Sequence, residues 1–280
     1  MDVVEREPGK MKNKPRLSRS EKARRQFLRT IGLGVGVVGF SLLGFVPVLG
    51  RWSERVRPPG ALKEQEFLAS CIKCGQCVQV CPVNAINLAN LEDGFGIGAP
   101  YIDTRAQACD FSCDGLQCVL ACPTGALTHE INYSHESDMA IAKVVGEGRC
   151  LAVQGKGFKG QVRGPDYTGK LRYDEIDRWN PIPVSEHPYD LELCDLCVRQ
   201  CPIEIRISQC DAGKPPSGDE NQCPPQHAIR LEPVNSDNGT VSMRPVILDG
   251  CVGCGVCDMI CPVDESVFEM DSSDSRWVNV

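Results

Sequence analysis

The stretch Cys71-Ile-Lys-Cys74-Gly-Gln-Cys77-Val-Gln-Val-Cys81-Pro82 decides the fold class of this chain. Its spacing, C-x2-C-x2-C-x3-C-P, is one with which cysteine thiolates hold a [4Fe–4S] cube. Three thiolates on one tight loop can reach three irons of one cube, and the fourth is expected to open a short helix and to bind a second cube. Gly75 is expected to let the backbone approach the cluster closely. The stretch therefore predicts iron–sulfur chemistry.

The same spacing recurs near the C-terminus in Cys251-Val-Gly-Cys254-Gly-Val-Cys257-Asp-Met-Ile-Cys261-Pro262, with Gly255 at the position of Gly75. Zinc sites usually combine two well-separated C-x2-C pairs. Cysteines at such short spacings on one loop do not easily form disulfides with each other. Iron–sulfur clusters therefore explain both stretches better than zinc or disulfides do.

Two looser cysteine groups lie between these motifs and share their C-x3-C-P ending. The second group contains Cys109, Cys113, Cys118 and Cys122. The third contains only Cys194, Cys197 and Cys201, so its missing ligand has to come from Cys150, Cys210 or Cys223. The simplest count gives Cys150 to the third cluster. It leaves Cys210 and Cys223 to form a disulfide, which an oxidising compartment permits.

The sequence thus predicts four [4Fe–4S] clusters as the cofactors. The sixteen candidate ligands are Cys71, Cys74, Cys77, Cys81, Cys109, Cys113, Cys118, Cys122, Cys150, Cys194, Cys197, Cys201, Cys251, Cys254, Cys257 and Cys261. We expect a loop-rich α+β fold because 20 prolines and 27 glycines accompany only 6 % aromatic residues. Bound clusters then replace part of the usual apolar core.

Charge is distributed unevenly along the 280 residues, whose net charge is −7. Residues 1–60 carry a balance of +8 and residues 61–280 a balance of −15. An acidic body argues against nucleic acid as a partner and favours docking on basic patches of other proteins. The basic head instead indicates targeting.

The head contains the paired arginines Arg24 and Arg25, followed by Phe27, Leu28 and the uncharged run from Ile31 to Gly50. This order is typical of a twin-arginine export signal, and that route suits clusters that must be built in the cytoplasm before export. Twenty apolar residues are also enough to span a bilayer. Both a cleaved signal and an uncleaved anchor therefore remain open, with the body on the periplasmic side of the cytoplasmic membrane.

These features divide the chain into a signal or anchor over residues 1–50, a linker over residues 51–68 and a four-cluster domain over residues 69–280. The repeat tail Ala-Ile-x-Leu, which follows the first motif closely, appears after the third only at Ala228-Ile229-Arg230-Leu231. Residues 203–227 are therefore read as an insertion. Residues 151–193 form a second one.

The twin-arginine head, the linker Arg57-Pro58-Pro59-Gly60-Ala61-Leu62 and the order of the motifs resemble the NapG/MauM family of ferredoxin-type proteins. The resemblance covers residues 24–150 and 194–270. It implies duplicated bacterial-ferredoxin-like folds and selects Cys150 as the ligand of the third cluster. It also implies that the outer two motifs share one cluster pair and the inner two another, which joins Cys81 to the last motif and Cys261 to the first. Pairing of the motifs in chain order is the alternative.

The resemblance further implies a relay of single electrons. The expected donor is a membrane quinol dehydrogenase or an iron–sulfur membrane protein, and the expected acceptor is a periplasmic redox enzyme or cytochrome. A similar four-cluster arrangement occurs in electron-transfer subunits of molybdopterin oxidoreductases, which is one alternative. A structural or assembly factor whose clusters only stabilise its fold is a second alternative. An enzyme with its own active site in residues 151–193 is a third, but no nucleophile–base pair or nucleotide loop supports it.

Overall fold

The structure is a computed structural model that describes residues 19–50, 55–91, 93, 96–173, 177–234 and 241–273, without the side chains of residues 42–50 and 177–179. The chain forms two compact units, Met1–Arg51 and Trp52–Val280. Residues 1–18 of the predicted signal and residues 51–54 of the predicted linker lie outside the described residues.

In the first unit, helix α1 spans Arg19–Gly50 and includes both paired arginines. Its described side chains are almost all exposed, with Phe27 and Phe40 among them. Among the described residues, no helix is both long enough and apolar enough to cross a membrane.

The second unit combines short helices with two-stranded antiparallel sheets, a mixed α+β architecture as predicted. Helices α2 to α7 span Glu64–Ser70, Gln76–Gln79, Gln117–Leu120, Leu196–Arg199, Pro202–Asp211 and Val256–Met259. Strands β1 to β10 span Ile86–Leu88, Pro100–Ile102, Ile141–Val144, Phe158–Gly160, Lys170–Tyr173, Asp177–Pro183, Tyr189–Leu191, Ile229–Val234, Ser242–Ile247 and Phe268–Asp271. The pairs are β1–β2, β3–β10, β4–β7, β5–β6 and β8–β9.

The second unit uses one arrangement twice, in a first half (residues 55–131) and a second half (residues 132–273). In the first half, hairpin β1–β2 separates two cysteine motifs, and Ala61 ahead of them pairs with Leu127 behind them. In the second half, hairpin β8–β9 separates the other two motifs, and β3 ahead of them pairs with β10 behind them. Each half therefore closes around two motifs that are neighbours in the sequence.

The sequence predicted that a short helix would begin at the fourth cysteine of a motif. In the structure, the short helices instead contain the third cysteine. Cys77, Cys118, Cys197 and Cys257 lie within α3, α4, α5 and α7. Of the fourth cysteines, Cys201 caps the start of α6. The others end the turn that follows their helix. A proline follows all four of these cysteines, and Pro202 occupies the first position of α6, where proline is tolerated.

The apolar core lies directly against the cysteine motifs. Phe67 precedes Cys71 by one helical turn, and Met259 and Ile260 lie between Cys257 and Cys261; all three apolar side chains are fully buried. Residues 151–193 add the β4–β7 and β5–β6 sheets to the second half, and residues 203–227 contain most of α6.

Candidate iron–sulfur centres

The first motif shares a cavity with the last cysteine of the second motif. Cys71, Cys74, Cys77 and Cys122 line one small cavity of about 20 Å³. Phe67 and Leu127 form apolar parts of the same wall. These four cysteines are called group 1.

Group 2 consists of Cys81, Cys109, Cys113 and Cys118. The pKa of Cys118 is raised mainly by burial, and the neighbouring Cys113 and Cys81 raise it further. Burial followed by the influence of Cys113 and Cys118 raises the pKa of Cys109 well above its usual value. The last cysteine of the first motif therefore faces the second motif.

Group 3 consists of Cys150, Cys194, Cys197 and Cys261. Burial raises the pKa of Cys194 to about 11, and Cys150 and Cys261 act on it in the same direction. Burial, followed by Cys194, Cys150 and Cys261, also raises the pKa of Cys197 well above its usual value.

Group 4 consists of Cys201, Cys251, Cys254 and Cys257, which line a small cavity of about 20 Å³. Ile203, Ile229 and Val256 are among its apolar walls. The second half thus repeats the exchange seen in the first half, because each of its motifs gives its last cysteine to the other group.

This arrangement shows that the expected pairing of the outer motifs is wrong. Cys81 lies with the second motif rather than with the last one, and Cys261 lies with the third motif rather than with the first. The motifs pair in chain order because each half closes on itself through its hairpin and its terminal strand pairing. A ligand exchange between the two halves would require the first and last motifs to face each other.

The structure also separates the three cysteines that competed for the third group. Cys150 lies beside Cys194 and Cys261. Cys210 and Cys223 are joined by a disulfide with an S–S distance of 2.03 Å. That bond lies in the inserted residues 203–227 and leaves both sulfurs outside the four groups.

The donor set suits a cube rather than a single ion. Within the described parts of the chain, no three His, Cys, Asp or Glu side chains lie close enough together to hold one metal ion. Thiolates that bind different irons of a cube stand further apart than ligands of one ion, with inorganic sulfide between them. Four thiols that converge on one apolar-walled cavity fit such a group.

Comparisons with known proteins agree with this geometry. The family described as "4Fe-4S dicluster domain" matches residues 70–126, which contain groups 1 and 2. The chain is 32 % identical to methylamine utilization ferredoxin-type protein MauM of Paracoccus denitrificans over 90 % of this chain and 88 % of that protein. It is 30 % identical to ferredoxin-type protein NapG of Escherichia coli over 91 % of this chain and 88 % of that protein.

The chain belongs to the MauM/NapG family of ferredoxin-type proteins. A further relative, MauM of Methylophilus methylotrophus, is 28 % identical over 88 % of this chain and 83 % of its own length. No solved structure matches the chain significantly. The family and the matched domain make the chain a 4Fe–4S iron–sulfur protein of the electron-transfer type.

Seven of the sixteen thiols of this MauM/NapG-family protein are buried, Cys77 and Cys201 among them. Burial is the largest influence on Cys77, whose pKa rises to about 11, and on Cys201, whose pKa rises to about 12. A thiolate is unfavourable where water is excluded and other sulfurs are close. A group of positive iron ions removes that penalty, because a coordinating thiol is deprotonated by the metal.

Backbone amides point at the exchanged sulfurs. Ala85 N–H donates to Cys81 Sγ at 3.3 Å, and Leu127 N–H donates to Cys122 Sγ at 3.5 Å. At Cys122, burial favours the thiol, but hydrogen bonds from the backbone amides of Leu127, Thr124 and Gly125 and from the Thr124 side chain together outweigh it and lower the pKa. Hydrogen bonds to sulfur are one means by which a protein adjusts a cluster's reduction potential.

Glycine is required at the turn before two of the short helices. Gly75 and Gly255 adopt φ values of 74° and 83° in the left-handed region. A side chain at Gly255 would also collide with Thr104, because a Cβ there would lie 2.2 Å from Thr104 Cγ2. Gly255 thus also allows close packing between the two halves, since Thr104 belongs to the first half.

The two halves meet between groups 2 and 4. Cys109 N–H donates to the carbonyl oxygen of Cys254 at 3.2 Å. The buried Thr104 hydroxyl donates to Asp258 Oδ2 at 2.7 Å. A residue of group 2 is therefore hydrogen-bonded directly to a residue of group 4.

Arg105 also links the two halves. Its guanidinium donates to the carbonyl oxygens of Asp258, Cys261, Val263 and Asp264, at 2.5, 3.0, 2.6 and 3.1 Å. The Asp258 carbonyl lies in the last turn of α7 and the other three follow it, where a cation is favoured by the helix dipole. Arg105 thereby holds the chain around Cys261 against the first half.

Sequence reasoning missed the supporting residues Thr104 and Arg105, since both lie in no motif. It also treated Arg57 as a linker residue, whereas its side chain is 7 % exposed and forms an ion pair with Glu64. Arg57 also donates to Pro100 O at 2.7 Å and lies over the Phe67 ring. The linker is thus tied to the wall of group 1. The sequence signal for this supporting role was a charged residue beside prolines and close to a motif.

Proposed function

We propose that this protein is an exported relay that passes single electrons through four [4Fe–4S] clusters. The donor would be a membrane quinol dehydrogenase or iron–sulfur membrane protein, and the acceptor a periplasmic redox enzyme or cytochrome. The observation that carries the proposal is the arrangement of sixteen cysteines in four groups of four. Groups 1 to 4 would hold one cluster each, and each cluster would supply one-electron redox chemistry when bound.

The chain's own residues have three tasks in this proposal. Apolar walls such as Phe67 and Ile203 exclude water from the groups. Amides such as those of Ala85 and Leu127 place positive dipoles near sulfur, which favours the more reduced, more negative state. Thr104 and Arg105 keep groups 2 and 4 next to each other. No side chain is required to transfer a proton.

Export by the twin-arginine route is part of the proposal and rests on Arg24 and Arg25 ahead of the uncharged run. It is supported by the disulfide between Cys210 and Cys223, since such bonds persist in oxidising compartments. A variant with both arginines changed to lysine should remain in the cytoplasmic fraction, while the unchanged protein reaches the periplasmic side. Equal distribution of the two proteins would contradict this part.

The clusters are tested by iron and acid-labile sulfide analysis of protein purified without oxygen, together with EPR spectra after reduction by dithionite. Four cubes require about sixteen irons per chain and magnetically interacting S = 1/2 signals. About twelve irons or fewer would contradict the four-cluster assignment. Centres that keep one redox state during turnover with quinol-reduced membranes would replace the relay by a structural role.

A further inference from the structure

Both inserted segments of the second half line one cavity of about 370 Å³. The first insertion contributes residues 171–173 and 187–191. The second contributes Ile205, Arg206 and Gln209. The described lining contains no cysteine, so the cavity is distinct from the four cysteine groups. The cluster motifs do not require either insertion, and the proposed relay gives the cavity no task.

Arg206 brings a buried positive charge to this cavity. The residue is 4 % exposed, and its terminal nitrogens donate to Pro202 O at 3.2 Å and to Phe111 O at 3.0 Å. Among the described residues, no group accepts a hydrogen bond from its buried Nε. Asp114 Oδ1 lies 3.9 Å from Arg206 but only 3.0 Å from Arg172. The Arg206 guanidinium is therefore only partly compensated, which is costly for a buried charge.

The buried carboxylate of the lining does not complete that compensation. Asp110 uses one oxygen to accept from Ser112 N–H at 2.9 Å and the other to accept from Arg172 N–H at 3.0 Å. Burial, followed by the neighbouring Arg172, lowers the pKa of Arg206 although both aspartates act in the opposite direction. A further negative charge in the cavity would stabilise this guanidinium.

The more exposed charges of the lining pair with residues outside it. Arg199 donates through two nitrogens to the carboxylate of Asp195, at 3.0 and 2.7 Å. Asp190 forms an ion pair with Lys159. Each pair is neutral in sum. Recognition of a charged ligand is therefore left to the buried Arg206.

His187 supplies a second buried polar atom on the same lining. Its Nδ1 has no hydrogen-bond partner within the described parts of the chain. The ring stacks on Tyr173, with centroids 4.1 Å apart, and is tilted against Tyr189 at 4.9 Å. Leu171 and Ile205 add apolar surface. The cavity thus combines two incompletely bonded polar groups with aromatic and apolar walls.

We propose that this cavity binds a small organic carboxylate, with its oxyanion at Arg206 and its apolar body against His187 and Leu171. A guanidinium matches the geometry of a carboxylate, and such charge-assisted hydrogen bonds are strong. Small-molecule sites typically join apolar walls to a few polar groups in cavities of several hundred cubic ångströms. The proposal does not depend on the relay and gives both insertions a shared role.

The test uses the full-length protein with its clusters and measures binding by calorimetry at about pH 7, where benzoate is ionised. Benzoate is the probe, benzamide is the uncharged molecule of the same shape, and inorganic phosphate is an oxyanion without an apolar body. Benzoate should bind with a Kd of about 1 mM or tighter. Benzamide and phosphate should each bind at least about tenfold more weakly.

Two variants locate the site. Arg206→Gln removes the buried charge and should weaken benzoate binding at least about tenfold, with little effect on benzamide. His187→Phe keeps a ring beside Tyr173 but removes both nitrogens, and it should weaken benzoate binding about fivefold. Arg230→Gln is the control for the arginine substitution, because Arg230 has a 61 % exposed side chain in β8. It should stay within about twofold of the parent.

Equal affinity of the parent for benzoate and benzamide would overturn the proposal, as would no binding of benzoate at about 10 mM. Phosphate binding more tightly than benzoate would overturn the assignment of an organic ligand. Unchanged benzoate affinity in His187→Phe and in Arg206→Gln would place the site elsewhere. Iron per chain is measured for every protein, and if Arg206→Gln loses iron, His187→Phe and the benzamide comparison decide. Absent benzoate binding with full iron content contradicts this site alone and leaves the relay intact.

Discussion

Pairs of cysteine-to-alanine substitutions distinguish pairing in chain order from pairing of the outer motifs. Cys74→Ala with Cys122→Ala removes two ligands from group 1 and leaves the other three groups complete. Cys74→Ala with Cys261→Ala removes one ligand from group 1 and one from group 3. The two double variants remove the same number of thiols, so each is the matched control of the other.

The expected magnitude follows from the composition of the cubes. A chain with four cubes holds about sixteen irons, and each cube that fails to assemble removes about four. The Cys74/Cys122 variant should therefore retain about twelve irons, and the Cys74/Cys261 variant about eight. Under pairing of the outer motifs these values would be reversed, because Cys74 and Cys261 would then belong to one cube.

The assay is iron and acid-labile sulfide per chain in protein purified without oxygen, with EPR after dithionite reduction to identify the lost signals. The single variants Cys74→Ala, Cys122→Ala and Cys261→Ala calibrate the iron lost for each missing ligand. About twelve irons in the Cys74/Cys261 variant, with about eight in the Cys74/Cys122 variant, would refute the reasoning from the two closed halves.

Three further predictions concern the supports around the groups. Arg105→Gln should lower the free energy of unfolding by about 2–4 kcal/mol, because several charge-assisted hydrogen bonds to the second half are lost; urea titrations followed by cluster absorbance measure this, with the exposed Arg149→Gln as control. Replacing both Cys210 and Cys223 by serine should cost about 3 kcal/mol through the opened loop but leave iron content unchanged, and dithiothreitol should then lower the Tm of the parent only. Burial lowers the pKa of His135 below its unfolded value of 6.5, so the unfolded state binds more protons and stability falls as the pH drops below about 6.5. His135→Gln should flatten that dependence between pH 7.5 and 5.5, and an unaltered slope would contradict it.

The sequence was sufficient to place the cysteines in motifs because iron–sulfur spacing is a local property. The first cysteines of one motif, such as Cys71, Cys74 and Cys77, are close in space whatever the rest of the chain does. The last cysteine of each motif is different, since its partner group depends on which motif faces it. That is decided by strand pairing, such as Ala61 with Leu127 and β3 with β10. Short irregular strands leave too weak a pattern to show this in advance.

The supporting residues were unpredictable for the same reason. Arg105 gains its role from four carbonyl groups more than 150 positions away in the sequence. Arg57 gains its role from Glu64 and from the Pro100 carbonyl at the start of β2. Arg105 is not unusual where it stands, and Arg57 is marked only by the prolines beside it. Only the fold determines which carbonyls remain without a partner and therefore attract a guanidinium.

The exchange of the last cysteines couples metal binding to the fold of each half. Group 1 needs Cys122 and group 2 needs Cys81, so neither is complete until hairpin β1–β2 has brought the two motifs together. Metal-binding free energy then stabilises the whole half, because the unfolded chain has no such site. The same holds separately for the second half through Cys201 and Cys261. Loss of one ligand should therefore weaken its own half first and reach the other mainly through Thr104 and Arg105.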